Sequence, residues 1–351
     1  MKVARSVYDS GGRLLLAAGI TLTENFIRHL SEMGIGSLYV EDEIFNGGVD
    51  VSGEIVPQSI RMESVKLLKE TYHQAKSQRC VDTRTVQKTV DGIIDEVLSN
   101  YGTLLNFYEI RTYDDYTFNH SVDVCILSVL TGITLGYDRT KLRELGIGAL
   151  LHDIGKVKVG KEILNKPGTL TPEEWQKIRR HPEDGFKILR RHQDIPPLSA
   201  HIALQHHERL DGSGYPRRLS GEEIHEYAQL VMIADVFGSL TSDRPYRKAY
   251  LVVQALDHIK SLAGKLFEKK FVAAFFSNIS PFPAGTVVQL SSGEIGRVVK
   301  INPQKPARPV VEVLFDRKSS RLSRPFKVDL SGEPSLLIVK VLSEEEICEL
   351  A

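Results

Sequence analysis

LLHDIGKV (150–157) ends an apolar helical pattern in two adjacent metal-type donors, His152 and Asp153, with Gly155 to break the helix and Lys156 just beyond. Further donors lie outward on both sides. His120 stands upstream; His181, the pair His206-His207 and Asp235 follow downstream. Neutral imidazoles and ionised carboxylates are the ligand set of Mn, Fe, Zn and Ni, and a carboxylate can bridge two ions. Seven such residues exceed one tetrahedral ion, so the pattern implies at least two metals. Paired ions clamp the attacking and leaving oxygens of a phosphoryl displacement, which points to metal-assisted hydrolysis of a phosphate ester.

The donors sit on helices. Asp123 to Leu135 is a dense apolar helical pattern with His120 just upstream, on about its first turn, and Leu142 to Leu151 carries the chain into His152-Asp153. Thr171-Pro172-Glu173-Glu174 supplies a capping box with proline at the first helical position. The helix it starts carries Trp175 and Ile178 toward His181, where Pro182 interrupts the pattern. Ser199 to His207 and Tyr227 to Leu240 are further helices, so an all-α catalytic domain is expected over residues 113–281. Asp235 lies inside the apolar run Val231-Met232-Ile233-Ala234, where an unpaired carboxylate would cost several kcal/mol. Ligation removes that difficulty; the alternative is a salt bridge to Arg244 or Lys156. His29, His73, His192, His201, His225 and His258 read as ordinary core or surface residues.

Three flanking regions complete the chain. Residues 1–44 read as a small mixed α/β module, with strand candidates at Leu14–Ala18 and Ser37–Val40 and a helix capped by Thr23. Residues 45–112 read as a helical connecting or regulatory region. Its apolar face through Val86, Val90, Ile93, Ile94, Val97 and Leu98 suits core, an interdomain seam or a homodimer contact. Beyond Pro281 and Pro283, residues 282–351 read as a small β-rich module with runs at 287–290, 296–299, 310–314 and 336–341. The fold class is therefore mostly α, with small modules at both ends.

Composition narrows the partners. Lys+Arg and Asp+Glu number 45 each, which argues against general affinity for duplex nucleic acid or anionic membrane and leaves room for a local basic pocket. Cys80, Cys125 and Cys348 are widely spaced and unpaired in pattern, as suits a reducing compartment. No run approaches the roughly 20 apolar residues of a membrane span, and MKVARSVYDSGG lacks an apolar signal core. A soluble cytoplasmic protein is expected.

His120, LLHDIGKV (150–157), KPGTLTPEEW (166–175), His181-Pro182, HHERLDGSGYP (206–216) and IADVFGSLTSDRPYR (233–247) together resemble the HD-GYP subfamily of HD-domain phosphohydrolases, over roughly residues 113–280. The resemblance implies hydrolysis of cyclic di-GMP to the linear dinucleotide, and in some members onward to GMP. In the matching positions, His120, His152, Asp153 and Asp235 would hold one metal and His181, His206 and His207 the second, with Asp153 bridging. Water between two such cations has a depressed pKa and is placed for in-line attack on phosphorus. Asp153 and Lys156 would serve catalysis, Lys156 by contacting the phosphate; Tyr215, Arg244 and Arg247 would join it in binding substrate. For these last three the alternatives are packing by the tyrosine and pairing of the arginines with Asp211 or Glu208. Some members carry a carboxylate one turn before the first histidine for a third metal; here that position is Tyr116, with Asp114 and Asp115 off register, so two divalent ions are expected. Iron and manganese fit the family, and zinc and nickel accept the same donors. The competing readings are a phosphodiesterase for cyclic GMP-AMP or another phosphoester, and a non-catalytic cyclic di-GMP sensor or protein docking to a diguanylate cyclase.

Overall fold

Side-chain caps and apolar periodicity place the helices of this protein close to where its sequence sets them. The structure, a computed structural model, describes residues 1–4, 6–8, 14–33, 35, 38, 40–41, 55–77, 79–101, 116–164, 166, 168–242 and 249–350. Two compact units emerge, one from Ile55–Tyr101 with Asp115–Asn278, the other including Met1–Glu54 and Ile279–Ala351.

The amino-terminal elements are β1 (Lys2–Val3), β2 (Val7–Tyr8), β3 (Leu14–Leu16), α1 (Glu24–Glu32) and β4 (Val40–Glu41). β1 pairs with β4 and β2 with β3, both antiparallel. Thr23 caps α1 by accepting from the Phe26 amide, and Leu30 joins Val3, Val7, Leu16 and Ile35 in a small core. Phe26 and Ile27 of the same helix face outward.

The helical unit opens with α2 (Gln58–Lys76) and α3 (Thr83–Ser99) and continues through α4 (Tyr116–Thr134) and α5 (Arg139–Leu150). A 3-10 turn follows at Ile154–Lys158, then α6 (Lys161–Leu164), α7 (Pro172–Arg179), α8 (His181–Leu189) and α9 (Pro197–Gln205). α10 (Glu226–Leu240), α11 (Val252–Leu262) and α12 (Lys269–Phe276) complete it. Almost every side of α4 and α10 is buried, which marks them as the central helices of the unit. α4 begins earlier than its apolar pattern suggests, so His120 lies inside the helix rather than ahead of it. α2 is tied to α4 by the part-buried Arg61–Asp123 ion pair at 2.7 Å. On α3, Val86, Val90, Ile93, Ile94 and Val97 are all fully buried, while Leu98 is exposed. That apolar face is thus consumed by the chain's own core, alongside α4 and α5.

Local chemistry starts the site-bearing helices. Asp138 accepts from the Lys141 amide to cap α5, and Thr171 and Glu174 form the reciprocal capping box of α7 with Pro172 at its start. Pro182 does more than interrupt a pattern, because it occupies the first turn of α8, where a missing amide hydrogen is harmless.

The carboxyl-terminal sheet is antiparallel, in the order β8 (Arg321–Asp329), β7 (Val310–Phe315), β6 (Ile295–Lys300), β5 (Val287–Leu290), β9 (Ile338–Val341). Val288, Leu290, Val298, Val311 and Val313 pack one cluster; Val287, Ile295, Leu314 and Phe315 pack a second with Ile347 beside them. Ile347 belongs to α13 (Glu344–Cys348). The sequence pattern misses β8 because RLSRPFKVD is an exposed edge strand, where charges and a proline discourage further pairing. Among the described residues, no helix is long and apolar enough to cross a membrane.

Candidate metal centre

Five structural elements bring the seven donors together. α4 supplies His120; the turn after α5 supplies His152 and Asp153; α8 begins with His181; His206 and His207 follow α9; Asp235 projects from α10. His120, His152 and Asp235 form one group of converging ligand atoms, and Asp153, His181, His206 and His207 form another, each within 4.8 Å. Asp153 faces both. Its Oδ2 lies 3.4 Å from His152 Nε2, and its Oδ1 lies 3.2 Å from His181 Nε2 and 3.8 Å from His206 Nε2. Asp235 likewise reaches two ways, with Oδ1 at 2.9 Å from His120 Nε2 and Oδ2 at 3.9 Å from His207 Nδ1.

The backbone fixes three of the rings in one tautomer. Nδ1 of His152, His181 and His206 lies 2.7, 2.7 and 2.9 Å from the carbonyl oxygens of Ala149, Ile178 and Ala203. A carbonyl only accepts, so each Nδ1 carries the proton and each Nε2 presents a lone pair inward. Orientation of a ligand imidazole by a backbone carbonyl is the usual second layer of a metal site. Its consequence here is severe: His181 Nε2 and His206 Nε2 stand 3.1 Å apart, two lone pairs facing each other. Asp153 Oδ1 and His152 Nε2 are also buried without a hydrogen bond of acceptable geometry. Acceptors converging with no proton between them repel one another, and a cation resolves that repulsion. The residues therefore fit a metal.

Electrostatics keep the donors in ligand form. Burial, reinforced by neighbouring imidazoles, holds His206 well below the usual histidine range; burial does the same for His207 and lowers His120. His152 is instead drawn upward, its burial outweighed by the charge of Asp153. Burial would raise both carboxyls, but Lys156 and His152 hold Asp153 well below its usual range, and the His120 contact does so for Asp235.

Close backbone approach shapes the second group. Gly155 lies against the first turn of α8, where a Cβ would sit 2.0 Å from the His181 carbonyl oxygen. Glycine there is needed for contact, beyond ending a helix. Glu208, fully buried, accepts from the amides of Arg217 and Leu219 at 2.8 and 3.0 Å and closes the loop that carries Tyr215. That loop passes so near that a Cβ on Gly214 would lie 2.4 Å from Glu208 Cα.

The remaining expected residues divide. Lys156 is at the centre, its ammonium donating to Asp153 Oδ2; Asp235 pairs with His120. Tyr215 stacks on His207 with ring centroids 4.7 Å apart, and burial together with Asp235 raises its phenol. Glu208 is engaged by backbone amides and Asp211 by Ser213. Arg244, Arg247, Asp114 and Asp115 lie outside the described residues, and Tyr116 is the first residue of α4. Arg179, which sequence reasoning passes over, sets its guanidinium 4.5 Å from the Tyr215 ring centroid. Its only signal was position, two residues before His181. Trp175, on the helix that leads to His181, is 48% exposed.

Comparison with known proteins places the same segments. Residues 117–270 match the HD domain model, and residues 287–350 match the KOW domain associated with HD domain. A cyclic di-GMP phosphodiesterase, PA4108 of Pseudomonas aeruginosa, is 36% identical over 248 residues, covering 71% of this chain and 60% of that protein. The 3'3'-cGAMP-specific phosphodiesterase 3 of Vibrio cholerae is 36% identical over 169 residues, 47% of this chain and 35% of that protein. The chain thus spans about 60% of the first relative and about a third of the second. Among solved structures, Bd1817, an HDG"Y"P protein from Bdellovibrio bacteriovorus, aligns with a TM-score of 0.51 at 19% identity, covering 78% of this chain and 94% of that one. The chain therefore carries an HD domain over residues 117–270, followed by the KOW domain that is associated with it.

Proposed function

We propose that this protein is a metal-dependent cyclic di-GMP phosphodiesterase that cleaves a 3'-5' phosphodiester to give the linear dinucleotide pGpG, with GMP as a further product. The observation that carries the proposal is the set of opposed acceptors, His181 Nε2 and His206 Nε2 at 3.1 Å beside Asp153 Oδ1. One ion would be held by His120, His152 and Asp235, the other by His181, His206 and His207, with Asp153 shared between them. Two divalent ions, iron or manganese by the mixture of nitrogen and oxygen donors, would supply a water of depressed pKa and neutralise charge on the phosphoryl oxygens.

The chain's own residues do the rest. Asp153, ionised and turned toward both groups, fixes their spacing. Lys156 lies beside Asp153 Oδ2 and is proposed to donate to the phosphate as negative charge grows on it. Tyr215, held against His207, is proposed to border the bound nucleotide, with Arg244 and Arg247 as further substrate contacts. Cyclic di-GMP is favoured over cyclic GMP-AMP because the cyclic di-GMP relative matches over 248 residues and the cyclic GMP-AMP relative over 169, at the same identity. The proposal places the protein in the cytoplasm with its substrate. A homodimer through the helical region would use faces of α2 and α3 other than the buried one, and docking to a diguanylate cyclase is an expectation from sequence alone.

The test is turnover of cyclic di-GMP and cyclic GMP-AMP by anaerobically purified, metal-loaded protein, followed by chromatography. Cleavage of cyclic di-GMP to a linear product is expected. Full metal loading with neither compound cleaved contradicts the proposal and favours the sensor reading or another phosphoester.

A further inference from the structure

We infer that Arg179 binds the phosphate of a cyclic dinucleotide that is not being cleaved, an inference that rests on the function proposed above. A cyclic dinucleotide carries two phosphodiesters. The metal ligands and Lys156 account for one of them, and the second brings another negative charge to the rim of the site.

Several cations along this part of the chain are already engaged. Lys156 pairs with Asp153, Lys158 with Asp184 at 2.7 Å, and Lys166 with Glu174 at 2.7 Å. Arg209 is turned to the Phe267 ring and the Glu208 carbonyl. Arg179 differs. It is exposed, pairs with no carboxylate among the described residues, and rests on Tyr215, whose ring stacks in turn on His207. The chain His207, Tyr215, Arg179 therefore links the metal ligands to a cation at the surface. Stacking on an aromatic ring restricts where the guanidinium points while leaving its N–H donors available, and a planar fork matches two phosphate oxygens. Arg180, next in the chain and also exposed, has no aromatic or carboxylate contact among the described residues, which makes it a control of equal charge.

The experiment compares wild type, Arg179→Ala, Arg179→Lys and Arg180→Ala on cyclic di-GMP and on bis(p-nitrophenyl) phosphate, which has one phosphodiester, with metal content measured throughout. For Arg179→Ala, KM for cyclic di-GMP is expected to rise ~10-fold or more while kcat stays within about threefold. KM for the single phosphodiester should rise much less. Lysine should recover part of the loss, since it restores charge without the fork. Arg180→Ala should resemble wild type. An unchanged KM for cyclic di-GMP in Arg179→Ala, with wild type active, overturns the assignment and leaves the proposed function standing. Equal losses on both substrates would instead make Arg179 a structural support for Tyr215, and equal effects of the two arginines would reduce it to diffuse charge. Wild type that cleaves the single phosphodiester but neither binds nor cleaves a cyclic dinucleotide removes the proposed function and this inference together.

Discussion

Replacing Gly155 by alanine probes the contact that sets Asp153 against His181. The added Cβ would lie 2.0 Å from the His181 carbonyl oxygen, 2.5 Å from the Gly185 amide nitrogen and 2.9 Å from the His181 carbonyl carbon. All three are backbone atoms, so no side chain can swing aside. Opening the first contact to about 3 Å moves α8 and the 154–158 turn apart by on the order of 1 Å. His181 and Asp153 sit on opposite sides of that gap, with 3.2 Å between their ligand atoms. Misplacing a catalytic group by about 1 Å can lower turnover ~100-fold, and forcing a methyl group into a packed contact destabilises by about 1–3 kcal/mol. In a unit of this size that is a fall in Tm of about 2–4 °C per kcal/mol. Turnover of bis(p-nitrophenyl) phosphate, metal content and a thermal melt would be measured together. Wild-type turnover and an unchanged melt in Gly155→Ala would show that the turn and α8 do not depend on this contact.

Three further predictions use other parts of the structure. Glu208→Ala leaves the Arg217 and Leu219 amides without their carboxylate and should cost about 1–3 kcal/mol by chemical denaturation, with Glu208→Gln intermediate; no change in stability would show that the loop is held by other contacts. Burial pushes the Cys125 thiol up to about 12, so mild alkylation of the native protein followed by mass spectrometry should label the exposed Cys80 and Cys348 and spare Cys125. Labelling of all three under native conditions would contradict that burial. In metal-free protein, His120, His206 and His207 have lowered pKa values, so the unfolded chain takes up their protons first as pH falls below about 6.5. Their contribution is complete above that pH and is lost below it, at about 1.4 kcal/mol per pH unit for each group, partly offset by His152, which shifts the other way. A melt that is flat from pH 7 to 5 would contradict these directions.

The donors were legible because they combine two unusual features. Polar ligand types occur inside apolar helical patterns, and they recur at ordered separations, so Asp235 within Val231–Phe237 stands out without any coordinates. Caps were legible for a similar reason: Thr171, Pro172 and Glu174 act within one turn, where sequence distance equals spatial distance. Contacts between elements were harder to read. Gly155 reads as a helix stop because nothing local tells that α8 lies against it, and Arg179 draws no notice because the ring it meets, Tyr215, lies 36 positions later in the chain. β8 escaped because an edge strand lacks the apolar alternation by which strands are recognised.

The shared role proposed for Asp153 is measured by metal content and turnover of the wild type beside Asp153→Ala. Asp153 is the one carboxylate proposed to face both ions, so the wild type should hold about two iron or manganese ions per chain and the variant clearly fewer. Turnover of cyclic di-GMP should fall by about 10²-fold or more in the variant, since several kcal/mol of charge stabilisation is lost, while its circular dichroism stays native. A folded Asp153→Ala protein that keeps its metals and cleaves cyclic di-GMP at the wild-type rate would contradict the account.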